Sequence, residues 1–419
     1  MRRHPFGLLP AALAVAATVS CGTGDRSHSE WLGPPRSLVT PAGPGSQFPR
    51  LTSSRGQNPV MSWLEPAAGE MSLRYSQWSG RGWGAARVVA QGADWFVNWA
   101  DFPSVVAADA GHRGAHWLQQ VPGNVYSYVV RIATSGDGGR TWSAPITPHD
   151  DGTPTEHGFV TLLPYEGQLL AVWLDGRRTV GNHDHDHGDG HDHPEAASEG
   201  AMTLRSAMVG RDGVQLGPDV ELDSRTCDCC QTGAAVAASG PIVVYRDRGE
   251  DGTRDISLVR FDGNRWSTPA PVARDGWNID ACPVNGPAVD ALGDTVVVAW
   301  FTGAGGPRVR LAFSTDGGRS FGTPMDVDGG RVSGRVDVVL LDDGRAVVSW
   351  LRESAGRDAL AARPYTQDGP VGRTVEIAHA DRARAAGFPQ VARAGDALLF
   401  AWTEDGATPQ VRTVVAPLR

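Results

Sequence analysis

The chain of 419 residues contains no lysine, so all 38 of its Lys/Arg side chains are arginine. Acidic side chains number 47, giving a formal net charge of −9 and none of the basic excess that a nucleic-acid binder carries. Tyrosine and methionine are scarce, at six each, and cysteine is scarcer at five. Beyond the N-terminal stretch there is no apolar run near the ~20 residues that a membrane-spanning helix needs. What the chain has in quantity is Gly (53), Pro (29) and Trp (14). Such a composition suits many tight turns between anchored strands and argues against a helical bundle. The apolar fraction of 41% recurs in regular blocks, which argues against disorder.

Arg2, Arg3 and His4 precede a short apolar stretch from Leu8 to Val19, the pattern of a secretory signal too short to remain as a span. Thr18-Val19-Ser20-Cys21 is similar to a bacterial lipobox, with Cys21 as the lipid acceptor and Thr18 where Leu or Val is usual. Residues 22–45 are rich in Gly, Ser and Pro and read as a tether. The expected plan is a signal at 1–21, a tether with a closing strand at 22–45, and a folded domain at 46–419. The protein would then work in the bacterial envelope, lipid-anchored to a membrane or periplasmic, where cysteines can oxidise.

An apolar segment ending in an aromatic residue returns along the chain, with anchors at Trp63, Trp117, Trp173, Tyr245, Trp300, Trp350 and Trp402. The spacings between them are 54, 56, 72, 55, 50 and 52 residues. Self-similarity at this period indicates a propeller or a solenoid, and four short strands with their turns fill one such unit. Apolar–polar alternation around the anchors supports strands. Seven anchors predict an all-β, seven-bladed β-propeller. A six-bladed alternative would need longer units. The last unit stops at its third strand, so residues 36–42 are expected to supply the missing outer strand and close the ring.

Ser135-Gly-Asp137-Gly-Gly139-Arg-Thr-Trp142 follows the Asp-box pattern S-x-D-x-G-x-T-W, and Ser314-Thr-Asp316-Gly-Gly318-Arg-Ser-Phe321 follows it with two conservative changes, Ser320 for Thr and Phe321 for Trp. In such a turn the Asp accepts hydrogen bonds from its own backbone, the Gly residues allow positive φ, and the aromatic anchors the turn. On these boxes and the repeat, residues 46–419 resemble the sialidase superfamily of BNR (Asp-box) β-propellers. Enzymes and non-enzymes share the boxes, so the resemblance implies fold before activity. Its hydrolases hold a sialic acid carboxylate with three Arg and use a Tyr nucleophile, a Glu that activates it and an Asp acid/base. Here Phe48-Pro49-Arg50-Leu51 departs from the family's Arg motif, and similar Phe-Pro pairs occur at 102–103 and 388–389. Tyr365 is the Tyr placed far enough along the chain to suggest the nucleophile. Arg246, Arg248, Arg254 and Arg335 could meet an anion, although a salt-bridged face is the simpler reading of each.

The remaining unusual residues converge by chain geometry. In an up-and-down blade, entry points of the inner strands and the loops between second and third strands share one rim. Cys227, Cys229 and Cys230 fall at the entry of blade 4, Cys282 at blade 5, His157 at blade 3 and Asp101 at blade 2. The long 72-residue spacing reflects a His-rich insertion at 178–200, carrying His183, His185, His187, His191 and His193, in a loop on the same rim. One reading of the cysteines is two disulfides in a glycan- or protein-binding scaffold. Another is a soft-metal site of thiolates with His157, for Cu or Zn, with loose metal capture by the His tract. The first expectation is the metal-binding protein, with delivery to an envelope protein partner. The alternative is an exo-α-sialidase acting on sialoglycans.

Overall fold

The computed structural model describes residue 1 and residues 30–180, 200–354, 357–380 and 387–419. Among these there is no helix, and the strands form seven separate sheets. Each sheet is an antiparallel meander whose first strand lies innermost, beside the first strands of its neighbours. The protein is thus the expected seven-bladed β-propeller. Blade 1 runs through Gln47–Thr52, Val60–Ala67, Glu70–Gln77 and Arg87–Gly92. Blade 2 has three strands, Ser104–Ala107, Arg113–Gln120 and Tyr128–Ser135, with a single bridge from Ile132 to Ile146 in the outer position. Blade 3 begins at His157–Tyr165 and ends at Val220–Thr226, and blade 4 begins at Gly233–Ala237. Blades 5, 6 and 7 start at Ala288–Leu292, Val332–Leu340 and Gln390–Ala394.

The repeat produces this ring because the anchor segments are second strands, buried on both faces. Trp63, Trp173, Trp300 and Trp350 are among the largest fully buried side chains. A buried indole N–H needs an acceptor, and each finds a carboxylate: Glu65, Asp175, Asp275 and Asp328 respectively. Apolar residues of adjoining blades pack into seven clusters, one between each neighbouring pair. Side-chain oxygens of inner strands stitch the blades further. Asp290 accepts the Leu340 N–H at 2.7 Å and Asp337 the Val391 N–H at 2.9 Å.

The ring closes on blade 7, whose last strand, Gln410–Pro417, pairs with Arg36–Ser37. The regular pairing is shorter than the expected 36–42, extended by a single hydrogen bond from the Leu38 N–H to the Thr413 carbonyl. The closure is reinforced upstream instead. Leu32 bridges Leu418, and the buried Trp31 donates its indole N–H to the Arg373 carbonyl at 2.8 Å.

The turns at 135–142 and 314–321 share one hydrogen-bond pattern. Asp137 Oδ1 accepts from the N–H groups of Arg140 and Thr141, and Ser135 Oγ accepts from Gly139. Asp316 and Ser314 repeat this with Arg319, Ser320 and Gly318. Gly139 (φ 81°) cannot be replaced cheaply, since a Cβ there would lie 1.8 Å from Tyr75 Oη of blade 1. Trp142 completes the contact edge-on to Tyr75, and Phe321 packs against the cluster between blades 4 and 5.

Candidate functional site

The rim assignment follows from strand register. His157, opening blade 3, pairs with Asp175 at the end of the second strand, and the Gly176 N–H donates to the Glu156 carbonyl at 2.8 Å. The insertion that follows therefore leaves from the entry rim. Its histidines, His183, His185, His187, His191 and His193, lie outside the described residues, as does Cys21. Cys227, Cys229 and Cys230 occupy the same rim, in the link between Thr226 and Gly233. The Cys227 N–H donates to the Arg246 carbonyl across the link.

The three thiols converge. Cys227 Sγ is 3.4 Å from Cys230 Sγ and 4.0 Å from Cys229 Sγ, and all three sulfurs lie within 4.8 Å of one another. Cys227 and Cys230 are buried and Cys229 half-buried, while the exposed Cys282 lies on the neighbouring link, whose Gly286 N–H donates to Gln231 Oε1 at 3.2 Å. All four are free thiols here. Burial opposes ionisation of Cys230, yet bonds from the Cys227 and Cys229 thiols and the charge of Arg246 hold it well below the ordinary thiol range. For Cys227 the Cys229 bond pulls downward, but the bond with Cys230 and burial outweigh it and push the group up to about 11.

His157 does not join them. Its ring stacks on His149, with centroids 3.9 Å apart and planes 3° from parallel. His157 Nδ1 faces the carbonyls of Tyr128 and Thr155, so it carries a proton. Nε2 faces Asp151 Oδ2 at 3.1 Å and Asp175 Oδ1 at 3.7 Å. Burial disfavours its charge, but the Asp151 bond and the two carboxylates win and raise the pKa above the ordinary value. His149 Nε2 accepts the Val130 N–H, which places its proton on Nδ1, toward the same Asp151 oxygen. Burial lowers its pKa. Arg177 completes the group, 2.7 Å from Asp175 and from Asp219.

These His and Asp side chains are close enough to suggest chelation, but the stacking forbids it as the rings stand. An ion in the plane of one imidazole would stand nearly a stacking distance out of the other's plane, farther than a ~2.1 Å Zn–N bond reaches. With a guanidinium already neutralising the carboxylates, this is an ion-pair network beneath the root of the insertion.

A third group was not foreseen as a unit. Tyr128 Oη lies 3.0 Å from Asp101 Oδ2 and 2.5 Å from Glu156 Oε1. One phenol proton cannot serve both contacts, so a carboxyl must supply the other. Burial pushes Asp101 up to about 7, against opposing bonds from the Phe159 N–H and Tyr128. Burial and the charges of Asp101 and Asp228 push Glu156 up to about 8, against the Tyr128 bond. Gly158 makes room for this, since a Cβ there would lie 1.9 Å from Asp101 Oδ2. Asp101 was visible in the sequence as a blade entry and Glu156 as the neighbour of His157. Nothing in the spacing marked Tyr128, His149 or Asp151, which come from a third strand and a long connection.

The arginines that could meet an anion are engaged by the protein. Arg246 donates to the carbonyls of Asn285, Arg254 and Phe301 and lies 4.8 Å over Trp277. Arg248 pairs with Asp228 at 3.0 Å, and Arg254 is buried, its charge favouring the Cys227 thiolate. Arg335 lies over Trp99 and Phe388 and donates to the Val284 carbonyl at 2.5 Å. Tyr365, on the third strand of blade 6, is buried and donates its hydroxyl to the Val327 carbonyl at 3.2 Å. It does not reach the rim chemistry.

No protein-family model and no curated protein matches the chain. Its likenesses are to solved structures. A protein of unknown function from Dyadobacter fermentans matches at 12% identity and TM-score 0.51, covering 93% of this chain and 100% of that one. The NanB sialidase from Streptococcus pneumoniae matches at 10% identity and TM-score 0.47, covering 87% and 85%. The phage phi92 endosialidase matches at 9% identity and TM-score 0.49, covering 92% and 69%. Identities this low speak of fold alone.

Proposed function

We propose that this is an exported, lipid-anchored binding protein whose blade 3–5 entry rim captures a soft metal ion. The observation that carries the reading is the convergence of the Cys227, Cys229 and Cys230 sulfurs within 4.8 Å. Cys282 comes from the neighbouring blade link, whose Val284 packs on the same apolar cluster as Cys229. Thiolate clusters favour Cu(I) or Zn(II) over hard cations. Arg246 and Arg254 supply positive charge at Cys230 and Cys227, which lowers the cost of gathering thiolates in a buried place. The His tract, rooted on the same rim, adds a second, looser store of ligands.

The test is metal content and thiol count measured together on envelope-exported protein, with Cys230→Ser as control. About one tightly held ion per chain, lost in the variant, supports the reading. Metal-free protein with no free thiols would reject it in favour of a disulfide-stapled glycan- or protein-binding scaffold.

A glycoside-hydrolase reading draws its support from one feature, the Tyr128 phenol held between Glu156 and Asp101. The engaged arginines and the fully buried ring of Tyr128 weigh against it. Release of a fluorogenic sialoside, abolished by Tyr128→Phe and untouched by Tyr365→Phe, would establish it.

A further inference from the structure

The four sulfurs are not equivalent, and their differences go beyond the capture of some soft ion. Cys227 and Cys230 are sealed from solvent, Cys229 is half-buried and Cys282 is exposed. Cys229 lies 4.0 Å from Cys227, and the link that carries Cys282 runs alongside: the Gly286 N–H donates to Gln231 Oε1 at 3.2 Å, and Val284 packs on the same apolar cluster as Cys229. The order from solvent inward is a path: Cys282, then Cys229, then Cys227 and Cys230.

The inner three also fit one kind of ion. Sulfurs sharing a single ion at ~2.3 Å stand about 4 Å from one another, and the distances of 3.4 and 4.0 Å are close to that. Charge decides between candidates. Three thiolates are balanced by Arg246 and Arg254 together with one positive charge, because Asp228 is paired with Arg248. A monovalent cation in the triangle therefore gives a neutral buried site. A divalent ion held by the same three sulfurs would leave an uncompensated positive charge, which burial penalises, and would call on a fourth thiolate.

We propose that Cys227, Cys229 and Cys230 form a three-coordinate site for a monovalent soft cation of the cuprous class, and that Cys282 is the transfer thiol through which the ion enters and leaves. This rests on the metal-binding reading above and adds which ion the site takes and how it is exchanged. The transfer is ligand exchange without redox. A new metal–sulfur bond forms to an inner thiolate as the bond to Cys282 breaks, the metal keeps its charge, and each thiol that becomes a ligand releases its proton to solvent.

The experiment uses the reduced full chain without oxygen, with cuprous ion offered from a coloured chelator. Wild type should take one ion with three sulfur neighbours by X-ray absorption. Cys282→Ser changes an exposed side chain and should fold normally, as circular dichroism would check. It should keep the affinity within about threefold but slow exchange with the chelator by about tenfold or more, whereas Cys230→Ser should weaken affinity by roughly a hundredfold. Cys282→His, which restores a ligand, should recover much of the rate. Two results would overturn the proposal: an affinity loss in Cys282→Ser as large as in Cys230→Ser, which makes Cys282 a fourth structural ligand, or an unchanged exchange rate. Failure of the reduced wild type to take up cuprous ion at all would sink the metal-binding reading itself, and is a separate outcome.

Discussion

His149 and His157 lie face to face, 3.9 Å apart, and both turn a ring nitrogen to the same oxygen of Asp151, each at 3.1 Å. Two stacked imidazoles cannot both be charged at that separation, and the surroundings choose between them. His157 also faces Asp175, so it holds the proton, while His149 stays neutral beneath the Val130 N–H.

That division gives opposite pH signatures. The His157 pKa is raised on folding, so its contribution is fully present below the unfolded value of ~6.5 and is lost as pH rises through the folded value. The His149 pKa is lowered, so it costs stability as pH falls below ~6.5. Melting temperature against pH should therefore separate the variants. His157→Gln should lose more at pH 6 than at pH 9 relative to wild type. His149→Gln should hold up better than expected near pH 5. Parallel curves for both would contradict the assignment.

Asp101 and Glu156 predict a second trend. Both are acids with folded pKa values above the unfolded ones, about 7 and about 8. Their contribution is complete below the unfolded value of ~4 and is lost as pH rises through 7 to 8. Asp101→Asn keeps a neutral group in place and should flatten the decline between pH 5 and 8, read by denaturant melts. A decline as steep as wild type would show that the carboxyls ionise without cost.

Gly139 and Gly263 provide a matched pair. Both have positive φ, 81° and 89°, but a Cβ at 139 meets Tyr75 Oη while one at 263 meets nothing within 4 Å. Gly263→Ala should cost about 1 kcal/mol, the backbone strain alone, and Gly139→Ala should cost about 2 kcal/mol more. Equal losses would mean that blade 2 does not rest on blade 1 through this turn.

Removal of residues 181–199 tests the insertion. The tight ion at the cysteines should remain, and weakly held metal, released as histidine protonates near pH ~6, should disappear. Loss of the tight ion as well would mean that the two ligand sets act together.

The fold was legible because its determinants are local and repeated. A buried aromatic every fifty-odd residues, as at Trp300 and Trp350, marks a second strand whatever its partners are, and the Ser135–Trp142 turn carries its own hydrogen bonds. The meander rule then put the cysteine links and the insertion on one rim. What could not be read was burial and satisfaction. Arg246 looks in sequence like an anion ligand, yet its donors go to backbone carbonyls that no side-chain pattern reveals. His157 looked like a partner for sulfur because it shares the rim. Its true partner, His149, sits in the irregular link between blades 2 and 3, where no periodicity points.

The clasp at Trp31 and Arg36–Ser37 has a consequence for how the molecule is made. Trp31 and its acceptor at Arg373 are 342 residues apart in the chain. The early segment must therefore wait, unpaired, until nearly everything after it has been synthesised. Until then the strand Gln410–Pro417 has no outer neighbour, so the last step of assembly is the slow, long-range one, and the stage most exposed to mispairing with another copy.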